Sequence, residues 1–384
     1  MALRSAVACL LLPMLAACAS QVKAPPPVAL APTPRAAPVA AAPTPSKTAA
    51  PRTKVALLVP MSGNDRALGA ALLDAANLAL FDVSDDRFEI LPRDSGTSAD
   101  SARAAADSAI ADGAQLIIGP LFASATPSVK TSAARAGVQV ISFSTDASVA
   151  GGNGFVMGQL PAQQVRRVLG YAQSRGMTRV ALLLPDDAYG QAVGAAANDT
   201  AKQFGMTIAS VGRLGANQPA AIAAVKNTPT DAILIGVGGQ QARGLATQLV
   251  TPDKKPQLLG TGLWDDSSAN DPALAGGWYA APEPTVRGDF ERRFEAAYGR
   301  KPPRLATLAY DAVAMAATLA KTVPAGVPFD RAALTQPQGF AGLDGPFRFG
   351  PDGRIERNLA VLELTGSEAR VLDPAPPTFD RPAS

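Results

Sequence analysis

From Lys54 onward, short apolar runs alternate with longer stretches in which apolar residues return every three or four positions. The first kind of segment reads as a buried strand and the second as an amphipathic helix. Strands are predicted at Lys54–Val59, Arg87–Leu91, Leu116–Ile118 and Val138–Ile141. Between them lie a helix over Leu68–Val83, with Leu68, Leu72, Ala75, Ala79 and Val83 on one face, and a small-residue helix over Ala99–Ala111. Ser98 is placed to cap that second helix and Gly113 to end it. A third helix opens near Thr126–Pro127, where Thr126 suits the N-cap and Pro127 the first helical position, which has no amide to lose. The order β-α-β-α-β-α-β argues for a parallel sheet with right-handed crossovers.

The same alternation then starts again. Helices are predicted at Ala162–Ser174, Tyr189–Phe204, Pro219–Lys226 and Gln240–Val250, and strands at Arg179–Leu184, Thr207–Val211, Ala232–Val237 and Gln257–Leu259. Two windings of similar size, with no linker composition between them, mean two lobes. Phe347–Phe349 and Asn358–Leu364, separated by Gly, Pro and Asp, read as a closing hairpin of the second lobe. At 384 residues and 47% hydrophobic, the chain is long enough for two cores.

Composition removes whole classes of chemistry. The chain has no histidine, which excludes Ser-His-Asp and Cys-His catalysis and His-ligated zinc. Its two cysteines, Cys9 and Cys18, both lie in the first twenty residues, so the folded region has no thiol. The net charge of +3 conceals a basic leading segment, since Lys23, Arg35, Lys47, Arg52 and Lys54 precede the first acid, Asp65. No basic stripe with interleaved aromatics is present, so nucleic acid is not expected as a partner. Neither a cofactor nor a metal is expected, and the chain is not expected to be an enzyme.

Residues 1–18 combine a basic Arg4 with an apolar stretch too short to span a bilayer, the pattern of a secretory signal. Leu15-Ala16-Ala17-Cys18 resembles the bacterial lipobox, in which the cysteine is lipidated; the alternative is an ordinary cleavage site beside an incidental cysteine. Residues 19–53 are almost wholly Ala and Pro and are expected to form a disordered, extended tether. At about 3.1 Å per residue such a spacer reaches on the order of 100 Å. Residues 373–384 are expected to be a flexible tail.

Three motifs carry little. Asp186-Asp187 are neighbours at a strand end, where paired carboxylates rarely face one point, and a helix cap is the simpler reading. Gly236–Gln241 has Gln241 where a dinucleotide turn needs its third glycine. The Ser-x-x-Lys of penicillin-recognising enzymes occurs only at Ser20–Lys23, inside the tether.

The strand-end loops carry more. Both Leu116–Ile118 and Val138–Ile141 run into small, hydroxyl-rich loops, at Phe122–Thr126 and Ser142–Asp146. In an open parallel sheet, strand carboxyl ends line the crevice where ligands bind. KVALLVPMSG, IIGPLFASAT, GVQVISFSTD and PDDAYGQAV, in that order, resemble the type I periplasmic binding proteins of the leucine/isoleucine/valine-binding group over Lys54–Leu372. The resemblance implies an α/β fold of two Rossmann-like lobes with parallel central sheets, joined by a three-strand hinge. It sets 54–160 and 283–336 as lobe 1, and 161–282 and 337–372 as lobe 2. It also implies a ligand site of Ser62, Ala123, Ser124, Thr126, Ser144, Asp146 and Tyr189, the tyrosine closing from the second lobe. Capping by Ser124 and Thr126, and packing by Tyr189, remain open as alternatives.

Departures from the group's pattern bear on the ligand. The acid that pairs with a ligand ammonium falls within Gly260-Thr261-Gly262, where no carboxylate stands, and a second cleft tyrosine falls at Gly238-Gly239. Asp265 and Asp266 are candidates to substitute for that acid, and Trp264 is a candidate floor for a sugar or peptide. Asp146 stands where a hydroxyl is usual and would repel a ligand carboxylate. The helix PxxQVRRVxxYAxxRG resembles that of the penicillin-binding protein activator lipoproteins. That resemblance implies a non-catalytic lipoprotein, and Ala19 rather than Asp after Cys18 implies, by the sorting rule of enteric lipoproteins, an anchor at the outer membrane, facing the periplasm. Its partner would be a membrane-anchored peptidoglycan synthase, with a small amino-acid, peptide or muropeptide ligand. The alternative is a substrate-binding protein delivering amino acids, amides or short peptides to an ABC permease.

Overall fold

The computed structural model describes residues 52–83, 86–251, 253–265 and 269–379. Cys18, the Ala/Pro-rich tether and Asp266 lie outside the described residues. The first winding forms a five-stranded, all-parallel sheet of β1 (Thr53–Val59), β2 (Phe88–Asp94), β3 (Leu116–Ile118), β4 (Gln139–Ser142) and β5 (Gly154–Val156), in the order β2-β1-β3-β4-β5. Val55–Val59 are wholly buried, as a central parallel strand covered on both faces requires. On its faces lie α1 (Arg66–Val83), α2 (Ala99–Ala111) and α3 (Thr126–Arg135). Ser98 caps α2 as expected and shares a capping box with Ser101. Thr126 does not cap α3. The turn Ala123–Ala125 winds directly into the helix, so Ala125 is the N-cap and Thr126 is already helical and buried.

The second winding forms a seven-stranded sheet in the order β14-β13-β10-β9-β8-β6-β7. Its parallel part is β6 (Arg179–Pro185), β7 (Thr207–Leu214), β8 (Ala232–Ile235), β9 (Gln257–Gly260) and β10 (Trp278–Ala281). The helices α4 (Pro161–Ser174), α5 (Ala188–Phe204), α6 (Gln218–Lys226) and α7 (Gly239–Leu249) alternate with these strands. Gly205, at φ 67°, ends α5 in the left-handed conformation glycine adopts most easily. The chain then returns to the first core through α8 (Pro284–Tyr298), α9 (Ala306–Leu319) and the short α10 (Arg331–Leu334). Phe290 and Phe294 of α8 and nearly every face of α9 are buried with the β1 core, which is why α9 is apolar all round.

The closing hairpin differs from its expectation. Phe347–Phe349 (β11) pairs antiparallel with β12 (Ile355–Arg357), not with Asn358–Leu364. Phe347, Phe349 and Ile355 are buried in the first lobe's core, so residues 347–357 pack on lobe 1. The Gly350–Gly353 turn is short enough to close on the nearest β-competent residues, and the aromatic pair Phe155–Phe349 anchors the ribbon there. The chain crosses to the second lobe only at Asn358–Leu359, after which β13 (Ala360–Leu364) pairs antiparallel with β10 and with β14 (Ala369–Asp373). The three crossings are therefore at Met157–Leu160, Ala281–Glu283 and Asn358–Leu359.

A candidate cleft whose anchors are already occupied

Parallel winding sends the carboxyl ends of β1, β3 and β4 in one lobe, and of β6, β8 and β9 in the other, into the loops that hold the candidate residues. In the loop after β1, the Asp94 carboxylate accepts from the amides of Met61 and Gly96, both at 2.8 Å, and from the Ser62 hydroxyl. Burial pushes the Asp94 carboxyl up, but those hydrogen bonds outweigh it and hold the group below its ordinary range. Ser62 therefore serves its own loop.

The two hydroxyl loops share a buried spine. Thr126 Oγ1 lies 3.0 Å from Ser142 Oγ, and Ser142 Oγ accepts from the Ser144 amide at 3.2 Å. Ser144 Oγ accepts from the Asp146 amide at 2.9 Å, and Asp146 Oδ1 accepts from the Ser148 amide at 2.9 Å. Thr126 and Ser144 are buried beneath the loops, while Ser124 is exposed and makes no side-chain hydrogen bond among the described residues. Ala123 is half-buried beside it. The backbone at Gly119 (φ 103°) passes so close to β1 that an added Cβ would lie 2.1 Å from the Leu58 carbonyl oxygen, so only glycine fits the loop's first residue.

Across the cleft, Tyr189 does not reach for the first lobe. Its hydroxyl donates to Thr261 Oγ1 at 2.8 Å, within its own lobe, and burial raises its phenol above the ordinary range despite that bond. Asp187 caps α5 through the Gly190 amide at 2.8 Å, the simple reading of the Asp186-Asp187 pair. Trp264 is a core residue rather than a ligand floor. It is wholly buried, and its indole donates to the Val237 carbonyl at 3.0 Å.

Asp265 is the decisive residue. It follows the Trp264 turn of lobe 2, yet its carboxylate is held by two arginines of lobe 1: Arg287 of α8, and Arg304 ahead of α9 through Nε at 3.1 Å. Arg287 also meets Glu291 at 3.2 Å. Arg304 extends Nη1 to both oxygens of Asp344 at 3.0 Å. Asp344 also accepts from Thr307 at 2.8 Å and from Gln159, in the first crossing, at 3.2 Å. Burial pushes the Asp344 carboxyl up, but Arg304 and Arg357 outweigh it and hold it below its usual range. Next to it, burial raises Asp311 to about 6 against the pull of Arg357 at 3.1 Å. Burial, then the Asp265 charge, pushes the neighbouring Tyr279 phenol well above its ordinary value.

The acid nearest the position where a ligand ammonium is expected is thus paired with the protein's own guanidinium groups. The neutral candidates Thr261 and Tyr189 are paired with each other. Neither Arg287 nor Arg304 was apparent from sequence: they lie 22 and 39 residues from Asp265, beyond any local spacing pattern.

A profile of the periplasmic binding proteins matches residues 52–369. The chain belongs to the periplasmic binding protein family. Among solved structures, this family member is similar to a branched-chain amino acid ABC transporter protein from Rhodospirillum rubrum, with a TM-score of 0.76 and 20% identity over 84% of this chain and 100% of that one. It is also similar to full-length LpoA from Haemophilus influenzae, with a TM-score of 0.66 and 14% identity over 84% of this chain and 59% of that one. At such identities the likeness is one of fold. In sequence it is 26% identical over 140 residues to the uncharacterized protein RP748 of Rickettsia prowazekii, a match spanning 36% of this chain and 37% of that protein. Two lobes of leucine-binding-protein type, with parallel central sheets, are the architecture of this family member.

Proposed function

We propose that this periplasmic binding protein is a non-catalytic regulator of the cell envelope, tethered through Cys18 to the outer membrane. Its task is to dock onto a membrane-anchored peptidoglycan synthase and bias that enzyme toward its active state. The observation that carries the reading is the ion pair of Asp265 with Arg287 and Arg304. A receptor for α-amino acids needs a free carboxylate for the ligand ammonium, and a buried carboxylate already neutralised by two guanidinium groups has little left to offer. The Ala/Pro composition of residues 19–53, expected to form a spacer long enough for a cell-wall layer, and the activator-like sequence at 161–176 support the same reading.

A second reading is a solute receptor for an ABC importer. The exposed Ser124 hydroxyl, at the turn leading into α3 and unbonded among the described residues, favours it. Two measurements separate the readings. In the first, purified chain is added to a peptidoglycan synthase from the same cell; the activator reading expects faster glycan or cross-link formation. In the second, thermal unfolding is followed with amino acids, amides and muropeptides. A ligand at a hundred times its Kd adds about 2.7 kcal/mol, which no free amino acid is expected to do here. An unchanged synthase rate together with a clear amino-acid shift overturns the activator.

A further inference from the structure

Away from the cleft anchors, a groove of about 790 Å³ opens beside the hinge. One wall is α4 of the second lobe, with Arg166, and the end of α5, with Phe204. The other is the β11–β12 ribbon of the first lobe, with Arg354, and the crossing at Leu359 lies between them. The chain after β14 completes it. Residues 374–379 are not free: Asn358 Nδ2 donates to the carbonyls of Pro376 at 2.8 Å and Thr378 at 3.0 Å, and Arg167 donates to the Pro374 carbonyl at 3.1 Å. The Phe379 ring ends the run 4.5 Å from the Arg348 guanidinium, on the first lobe. This segment is a fourth connection between the lobes.

The charge of the groove is uneven. Five arginines line it against two carboxylates, Asp352 and Glu356. Three of the five are spent: Arg348 on Glu356 at 2.7 Å, Arg357 on buried Asp311 at 3.1 Å, and Arg167 on Asp373 at 2.8 Å. Arg166 has no ion-pair partner among the described residues, and Arg354 has only an exposed 3.5 Å contact with Asp352. The uncommitted positive charge therefore sits on one arginine of each lobe, beside the apolar surfaces of Phe204, Leu359 and Phe379. The volume falls within the range of small-molecule sites, and guanidinium groups bind carboxylate and phosphate oxygens in a planar fork.

We propose that this groove is a second binding site, for a small anion carried on an apolar body, gripped by Arg166 of one lobe and Arg354 of the other. The carboxylate or phosphate meets the two guanidinium groups, and the body packs on Phe204, Leu359 and Phe379. Because its walls come from both lobes, occupancy biases the angle between them. The site does not depend on the function proposed for the cleft.

Phenyl phosphate and benzoate are the probes, titrated calorimetrically into the full chain, with inorganic phosphate and benzyl alcohol as controls. Saturable 1:1 binding of either probe, tighter than both controls, is expected. Arg166 makes no ion pair among the described residues and is exposed, so Arg166→Ala is expected to leave the fold intact. It weakens binding roughly tenfold, about the 1.5 kcal/mol of one charge-assisted hydrogen bond. Adding Arg354→Ala weakens binding further, to roughly a hundredfold in all, whereas Tyr189→Phe, in the cleft, leaves it unchanged. No saturable binding of either probe, binding that survives both arginine changes, or inorganic phosphate binding as tightly as phenyl phosphate overturns the proposal.

Discussion

Replacing Asp265 by asparagine tests whether the ion pair between the lobes holds them. The carboxylate side chain is 6% exposed, Arg287 is 16% exposed and Arg304 is 28% exposed, so solvent screens the contacts only partly. Hydrogen bonds to charged groups contribute about 1.5–3 kcal/mol each. Loss is incomplete, because the asparagine oxygen still accepts one bond, Arg304 keeps Asp344 and Arg287 keeps Glu291. The expected net destabilisation is therefore about 1–3 kcal/mol, a fall of roughly 1–4 °C in Tm for a chain of this size. A merely structural contact would cost the same, so the second readout is geometry. Both cysteines lie in the first twenty residues, and in protein with both replaced, spin labels at cysteines introduced for exposed Thr131 and Asp199 report the distance between lobes. Asp265→Asn is expected to broaden that distance distribution, whereas Asp100→Asn, whose partner Arg103 lies in the same helix, leaves it unchanged. Wild-type distances in Asp265→Asn refute the idea that this pair sets the lobe angle, whatever happens to Tm.

Further expectations follow from single residues. Asp311, raised from 3.8 to about 6, binds its proton more tightly folded than unfolded, so its contribution to stability is complete below about pH 4 and is lost as the pH rises through 6. Denaturant unfolding of wild type and Asp311→Asn from pH 4 to 7 should show the wild type losing its relative advantage as the pH rises; a gap independent of pH contradicts the assignment. Gly260→Ala places a Cβ 2.1 Å from the Trp264 ring, and the overpacking is expected to cost about 1–3 kcal/mol and to shift the fluorescence of that buried indole. Unchanged emission and Tm would mean the ring has room to move. Cys18→Ser is expected to move the protein from the membrane to the soluble fraction of the envelope.

The alternation of strands and helices was legible because each element carries its own periodicity within a dozen residues, and buried parallel strands such as Val55–Val59 announce themselves as unbroken apolar runs. What escaped was whatever depends on distant partners. β5 is three residues beside Gly151–Asn153, and β10 is four residues ended by Pro282; their strand character comes from Ile141 and Leu362 across the sheet, not from their own composition. The hairpin departs from its expectation for the same reason, since Phe347 and Phe349 are equally apolar whichever lobe buries them, and their packing into the first lobe's core, Phe155 included, decides. The cleft divides along the same line. Its loops were legible from strand ends and hydroxyls, but whether Asp265 is free to meet a ligand depends on Arg287 and Arg304, which arrive from the other lobe through the second crossing. Local sequence can thus locate a binding loop, but whether its charge is still available is a property of the return path of the chain. That is why a fold shared with amino-acid receptors does not carry their ligand with it.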